Sequence, residues 1–119
     1  MTRYSTGKIS DKTYVEFHLI WQGRDLIVKI SGGDAHLGSL AFSTQQPDSK
    51  SLYQQFTYPT HREDQIVREC LERLVGLVPN ELLIVCGIHY DDISKESIRK
   101  INENCSLLIE RIAGDLKSL

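Results

Sequence analysis

The chain has 119 residues, 40% of them hydrophobic, and sets 14 basic against 16 acidic side chains for a formal net charge of −2. That length holds one compact domain with a core that needs no metal or disulfide staple, and the near balance of charge removes the basic field that recruits nucleic acid or a membrane surface. The polar start Met1-Thr2-Arg3-Tyr4 lacks the apolar core of a signal peptide, and the longest apolar run, Leu82 to Ile88, is too short to cross a bilayer, so the expectation is one cytoplasmic domain over residues 1–119.

From Thr13 to Trp21 the residues alternate, with Val15, Phe17, Leu19 and Trp21 on one side and Tyr14, Glu16 and His18 on the other. This is the period of a half-buried strand. Beyond the turn at Gln22-Gly23-Arg24-Asp25, Leu26, Val28 and Ile30 repeat the period of two, which predicts a hairpin over residues 13–31. A third strand is expected from about Ala35 to Ser43, after Gly32-Gly33-Asp34. Residues 44–59 show no sustained period and read as a long connection, suited to a binding loop or a subunit contact.

Thr60-His61-Arg62-Glu63 has the pattern of a capping box, so a helix should begin there and carry Val67, Cys70, Leu71, Leu74, Leu77 and Val78 inward until Pro79-Asn80. Glu81 to Ile88 then reads as a central strand covered on both faces. A second helix is expected near Ser94, with Ile93 and Ile98 as a hydrophobic staple and Ile98, Ile101, Cys105, Leu108, Ile109 and Ile112 facing the core. The result is an α+β fold of order β-β-β-α-β-α, a four-stranded mixed sheet with both helices on one face. Such a sheet leaves a face and an edge to cover, which predicts a homo-oligomer. Cys70, Cys86 and Cys105 are odd in number, form no CxxC pair, and sit among apolar neighbours, so they read as reduced core residues.

The central strand runs into His89-Tyr90-Asp91-Asp92. A helix of roughly 27 Å followed by a strand of similar length brings the helix start beside the strand end, so His61 should lie near His89 and Asp91. The helix starts at Thr60 and Ser94 then share one rim, where unpaired amides suit phosphate or carboxylate. His36 joins this cluster if the third strand is antiparallel to the central one, and lies a strand length away if the two are parallel. Three imidazoles, His36, His61 and His89, with Asp91 are a competent set for a divalent metal, although no compact metal motif is present and single histidines at element ends are more often structural. His18, on the polar face, reads as structural.

Gly32-Gly33-Asp34-Ala35-His36-Leu37-Gly38 matches no established phosphate-loop pattern. Its glycines suit either a constrained turn or close approach of backbone to a ligand, and Gly87 raises the same choice beside His89 and Tyr90. No nucleophile elbow, paired catalytic carboxylates or dinucleotide fingerprint is visible.

In these three clusters the chain resembles a known family. Ser31-Gly32-Gly33-Asp34-Ala35-His36-Leu37-Gly38, Thr60-His61-Arg62-Glu63-Asp64 and Cys86-Gly87-Ile88-His89-Tyr90-Asp91, followed by a helix, resemble the LpdD-like prenylated-flavin chaperones, also described as the small D subunit of gallate decarboxylase. The resemblance covers roughly residues 24–112. It implies a non-catalytic carrier that binds prenylated FMN and delivers it to a UbiD-type decarboxylase, with Gly33, His36, Gly38, His61, His89 and Asp91 as site candidates. Joined with the residue reading, the cofactor candidates are Gly32, Gly33, Asp34, Gly38, Thr60, Gly87 and Tyr90, and the metal candidates are His36, His61, His89 and Asp91. The alternative is a metal-dependent enzyme acting on a small phosphorylated or aromatic substrate.

Overall fold

The computed structural model describes residues 2–44, 52–57 and 63–119. The described residues form strands β1 (Thr2–Thr6), β2 (Val15–Gln22), β3 (Asp25–Gly33), β4 (Ser39–Thr44), β5 (Leu52–Thr57) and β6 (Leu82–His89), with helices α1 (Asp64–Leu74) and α2 (Lys95–Lys117). All six strands join one mixed sheet in the order β1-β2-β3-β6-β4-β5.

The predicted hairpin is β2–β3, antiparallel from Glu16 opposite Ser31 to Gln22 opposite Asp25. β6 pairs parallel with β3 on one side and antiparallel with β4 on the other. The condition that brings His36 toward the end of β6 is therefore met.

The sheet has six strands and not the expected four, because two edge strands escape a periodicity search. β1 is polar and short, and it is held as a strand by its antiparallel ladder to β2. β5 lies within the stretch read as a connection; it closes a hairpin onto β4, with Ser39 opposite Thr57 and Thr44 opposite Leu52. Tyr4 ties the first edge to α2, its hydroxyl donating to Asp115 Oδ2 at 2.5 Å. Burial, followed by that carboxylate, pushes the Tyr4 hydroxyl up to about 12.

Alternate residues of the strands point toward the helices. Val15, Phe17, Val28, Ile30, Ile84 and Cys86 meet Val67, Leu71, Leu74, Leu108 and Ile112 in one core, each of them at most 2% exposed. Complete burial of an aliphatic side chain of this size stabilises the fold by about 1.5–3 kcal/mol. The opposite face corrects the expectation of a doubly covered central strand: Leu83 and Val85 are only half-buried, since both described helices pack on the other side. Burial also raises all three thiols, with Cys105 pushed up to about 12 and Cys70 and Cys86 shifted in the same direction. These cysteines are core residues.

The helix ends differ in clarity. α2 begins where its cap signal stands, Ser94 Oγ accepting from Ser97 N at 3.1 Å. Ile98, expected inward as part of a staple, is 45% exposed, because the buried stripe starts at Ile101. α1 is described from Asp64 with Glu63 at its N-cap, and the expected start at Thr60 lies outside the described residues. Its α-helical part ends at Leu74 and a 3-10 turn, Val75–Leu77, completes the run before Pro79. Ser94→Ala removes the acceptor for the first-turn amide and is expected to cost about 1 kcal/mol, read as a lower urea midpoint at unchanged slope.

Candidate functional site

β3 and β4 lie on opposite sides of β6, so the chain must step over β6 between Gly33 and Ser39. It does so at Gly87. A Cβ on Gly87 would stand 1.5 Å from the His36 carbonyl oxygen, so only a hydrogen at that position lets the crossing backbone lie against the sheet. Two hydrogen bonds pin the crossing: Asp34 N donates to His89 O at 2.9 Å and Gly38 N to Cys86 O at 2.8 Å. Gly33 turns the chain into it with φ +63, and a side chain there would strike His89 O at 2.1 Å. These glycines answer the choice left open by the sequence: their close approaches are to protein backbone.

The crossing brings His36 and His89 together, their ring centroids 6.2 Å apart at an interplanar angle of 79°. His36 Nδ1 lies 3.2 Å from the Asp34 carbonyl oxygen, and its Nε2 lies 3.6 Å from Glu63 Oε1. Glu63 is 6% exposed at the start of α1, and its Oε1 also accepts from Ile88 N at 3.3 Å. The helix start therefore sits beside the strand end. On the outer side His89 Nε2 meets Asp91 Oδ1 at 2.9 Å, and Lys12 Nζ donates to the Asp91 carbonyl oxygen at 2.5 Å. An ammonium and an imidazole thus converge on one residue at the rim.

A cavity of about 580 Å³ opens there, lined in part by Lys12, Tyr14, Gly32, Asp34, His89 and Tyr90. Gly33 and Asp91 complete its rim, with Ile9, Glu16, Ser31 and Ala35 on the remaining wall. The Tyr90 ring lies against the glycine pair: a Cβ on Gly33 would stand 3.0 Å from Tyr90 Cδ1, and one on Gly32 would stand 3.6 Å from Cε2. The ring is held in place because Tyr90 Oη donates to the Tyr14 carbonyl oxygen at 2.6 Å, and burial raises its pKa. Glu16 is held below the usual carboxylate range, first by its hydrogen bond with His18, 2.7 Å away. Arg3 joins this pair, its Nε donating to His18 Nε2 at 3.1 Å and lying 2.9 Å from Glu16 Oε1 as an ion pair, which gives His18 a structural place in a surface ion cluster.

A second cavity of about 260 Å³ lies across the crossing, lined by His36, Leu37, Lys29 and Val85 and sharing Ser31 and Ala35 with the first. Of the sequence candidates, Gly32, Gly33, Asp34, His89, Tyr90 and Asp91 line the larger cavity and His36 the smaller. Gly38 and Gly87 pack beneath the crossing, Gly38 against the Glu63 carboxylate. Thr60 and His61 lie outside the described residues.

Among the described residues no group of three or more His, Cys, Asp or Glu side chains is close enough to hold a metal ion. His36 and His89 approach as two imidazoles, each beside a carboxylate, and the described side chains do not complete a set for a divalent metal. Lys12, Tyr14 and Ile9 escaped sequence reasoning because they precede Gly32 by roughly twenty positions and match no motif. The one available signal was the alternation that turned Tyr14 and Glu16 away from the core.

A family model described as a prenylated flavin chaperone LpdD-like domain matches residues 10–117. No curated protein sequence matches the chain. Among solved structures, a chain in the crystal structure of a novel chaperone complex for yeast 20S proteasome assembly superposes with a TM-score of 0.54 at 8% identity, covering 99% of this chain and 98% of that one. That likeness extends to the fold alone. No described helix is long and apolar enough to cross a membrane.

Gly87→Ala places a methyl carbon inside the His36 carbonyl and cannot be absorbed without displacing the crossing. The variant is expected to lose about 3 kcal/mol or more in urea unfolding, with amide exchange rising at Asp34 and Gly38.

Proposed function

The chain belongs to the LpdD-like family of prenylated flavin chaperones, and from that premise we propose that it binds prenylated FMN in the larger cavity and passes it to a UbiD-type decarboxylase. The observation that carries this reading is the wall of that cavity formed by Gly32, Gly33 and the Tyr90 ring. The space a side chain would take at either glycine is filled by the Tyr14 and His89 carbonyl oxygens and the Tyr90 ring, so the ring lies flush on bare backbone in the cavity wall, a surface against which a flat ring system can stack. The cavity's volume of about 580 Å³ is within the 300–1,000 Å³ span usual for cofactor sites.

The polar end suits the flavin's phosphate. Lys12 and His89 both reach Asp91, so a phosphate at this rim would find an ammonium and an imidazole side by side. Glu16, Asp34 and Asp91 add carboxylates to the lining, and a phosphate at the rim would take the place of the Asp91 carboxylate on His89. When bound, the prenylated flavin supplies its chemistry to the decarboxylase. This chain's part is to hold and release it. A carrier needs neither nucleophile nor general base, and the three thiols are buried with raised pKa values. A rim site open to solvent, with His89 and Asp91 both exposed, also suits direct hand-over to a partner.

A metal shared by His36, His61, His89 and Asp91 would be a second way to hold the phosphate, and a metal-dependent enzyme would need such a set. The incomplete described set favours neither.

Anaerobic titration with reduced prenylated FMN, followed by flavin fluorescence, should show saturable one-to-one binding. Lys12→Ala, which removes a charge-assisted contact, is expected to weaken it about 10- to 100-fold without lowering the unfolding midpoint. Absence of binding by the wild type would defeat the reading. Treatment with a chelator, followed by the same titration, should leave the affinity unchanged; loss of binding restored by a divalent cation would instead assign the phosphate to a histidine-bound metal.

A further inference from the structure

The side of the sheet away from the helices carries its outward residues in rows that follow the strand pairing. One row is wholly apolar: Ile20 pairs with Ile27, Ile27 with Leu83, and Leu83 with Phe42. These four side chains stand half-buried or exposed, Phe42 at 42%, and no described helix covers them. The neighbouring row toward the binding site carries Arg3, His18, Lys29, Val85 and Leu40, so its fixed charges are positive. The neighbouring row on the other side carries Gln22, Asp25 and Glu81, and its fixed charges are negative. A cavity of about 210 Å³ lies between this acidic row and the apolar one.

Along β3 the outward sequence is therefore Asp25, Ile27, Lys29: acid, apolar, base. We propose that a second copy of this chain packs on this face, related by a two-fold axis that runs along the Ile20–Ile27–Leu83–Phe42 row. That operation lays each strand antiparallel over its counterpart, with the sheets about 10 Å apart, and sets the apolar row against itself. It also turns the basic row of each copy onto the acidic row of the other, so Lys29 faces Asp25 and Glu81 of the other copy twice over. A surface whose charges change sign about its own apolar midline is complementary to itself, which is what an isologous interface requires. A parallel stacking of the two copies would set like charges together and is disfavoured.

The crossing at Gly87 rises from the same face one row beyond Lys29 and Val85, so it limits the overlap. The larger cavity stays outside the contact. The dimer would then carry two binding sites facing away from each other at opposite ends.

Sedimentation equilibrium of the full chain over a wide concentration range tests this. The wild type is expected at twice the chain mass, and Leu83→Lys at the chain mass with an unchanged circular dichroism spectrum. Lys29→Glu, a change at an exposed residue that leaves the fold undisturbed, should weaken self-association about tenfold or more, and Glu81→Lys in the same chain should restore it. A wild type that is monomeric throughout overturns the proposal, even where a decarboxylase alone binds this face. So does a dimer indifferent to both Leu83→Lys and Lys29→Glu, or a double variant that associates no better than Lys29→Glu.

Discussion

The passage of the chain over β6 at Gly87 is the constraint on which the remainder of the molecule depends. β3 and β4 flank β6 in the sheet, so the segment between them has to traverse a strand that enters the fold more than forty residues later. Sheet backbones carry a Cβ on each face in turn, and a segment this close to the pleat would collide with any residue but glycine. The traverse is held at both ends by hydrogen bonds to β6 itself, Asp34 to His89 and Gly38 to Cys86. One geometric solution thus closes the sheet and sets His36 against His89.

The same constraint divides the sheet's labour. The helix side is a dry core in which the three cysteines pack as small apolar residues. The other side is split by the crossing: beyond it lies the rim with Lys12, Tyr90 and His89, and before it lies an apolar row bounded by opposite charges. Parallel pairing of β3 with β6 is what sends the Gly32–Gly33 end and the His89–Asp91 end to one rim. Glu63 adds the start of α1 to that rim by accepting from Ile88 N. The rim cavity and the exposed apolar surface are therefore adjacent but separate.

Much of this was legible in the residues themselves. The hairpin of β2 and β3, the central strand β6, both helices and the cap at Ser94 follow from alternation, helical spacing and a side-chain oxygen ahead of an apolar run. Gly87 and Gly33 could be marked as positions where a backbone comes close, but not which backbone. Lys12 and Tyr14 could not be joined to the site at all, since their nearness to Asp91 and Tyr90 rests on pairings 79 and 76 residues apart in the chain.

By itself the sequence determined which segments bury an apolar face, where α2 starts, and the resemblance of three short clusters to a family of prenylated flavin chaperones, because those signals depend on neighbours within a few positions. The tertiary structure decided the order β3-β6-β4, the strand state of β1 and β5, and the meeting of His36 with His89. Those features rest on ladders and close approaches between distant segments: an edge strand takes its conformation from the partner it bonds to, and a glycine's missing side chain has meaning only once another chain segment lies across it.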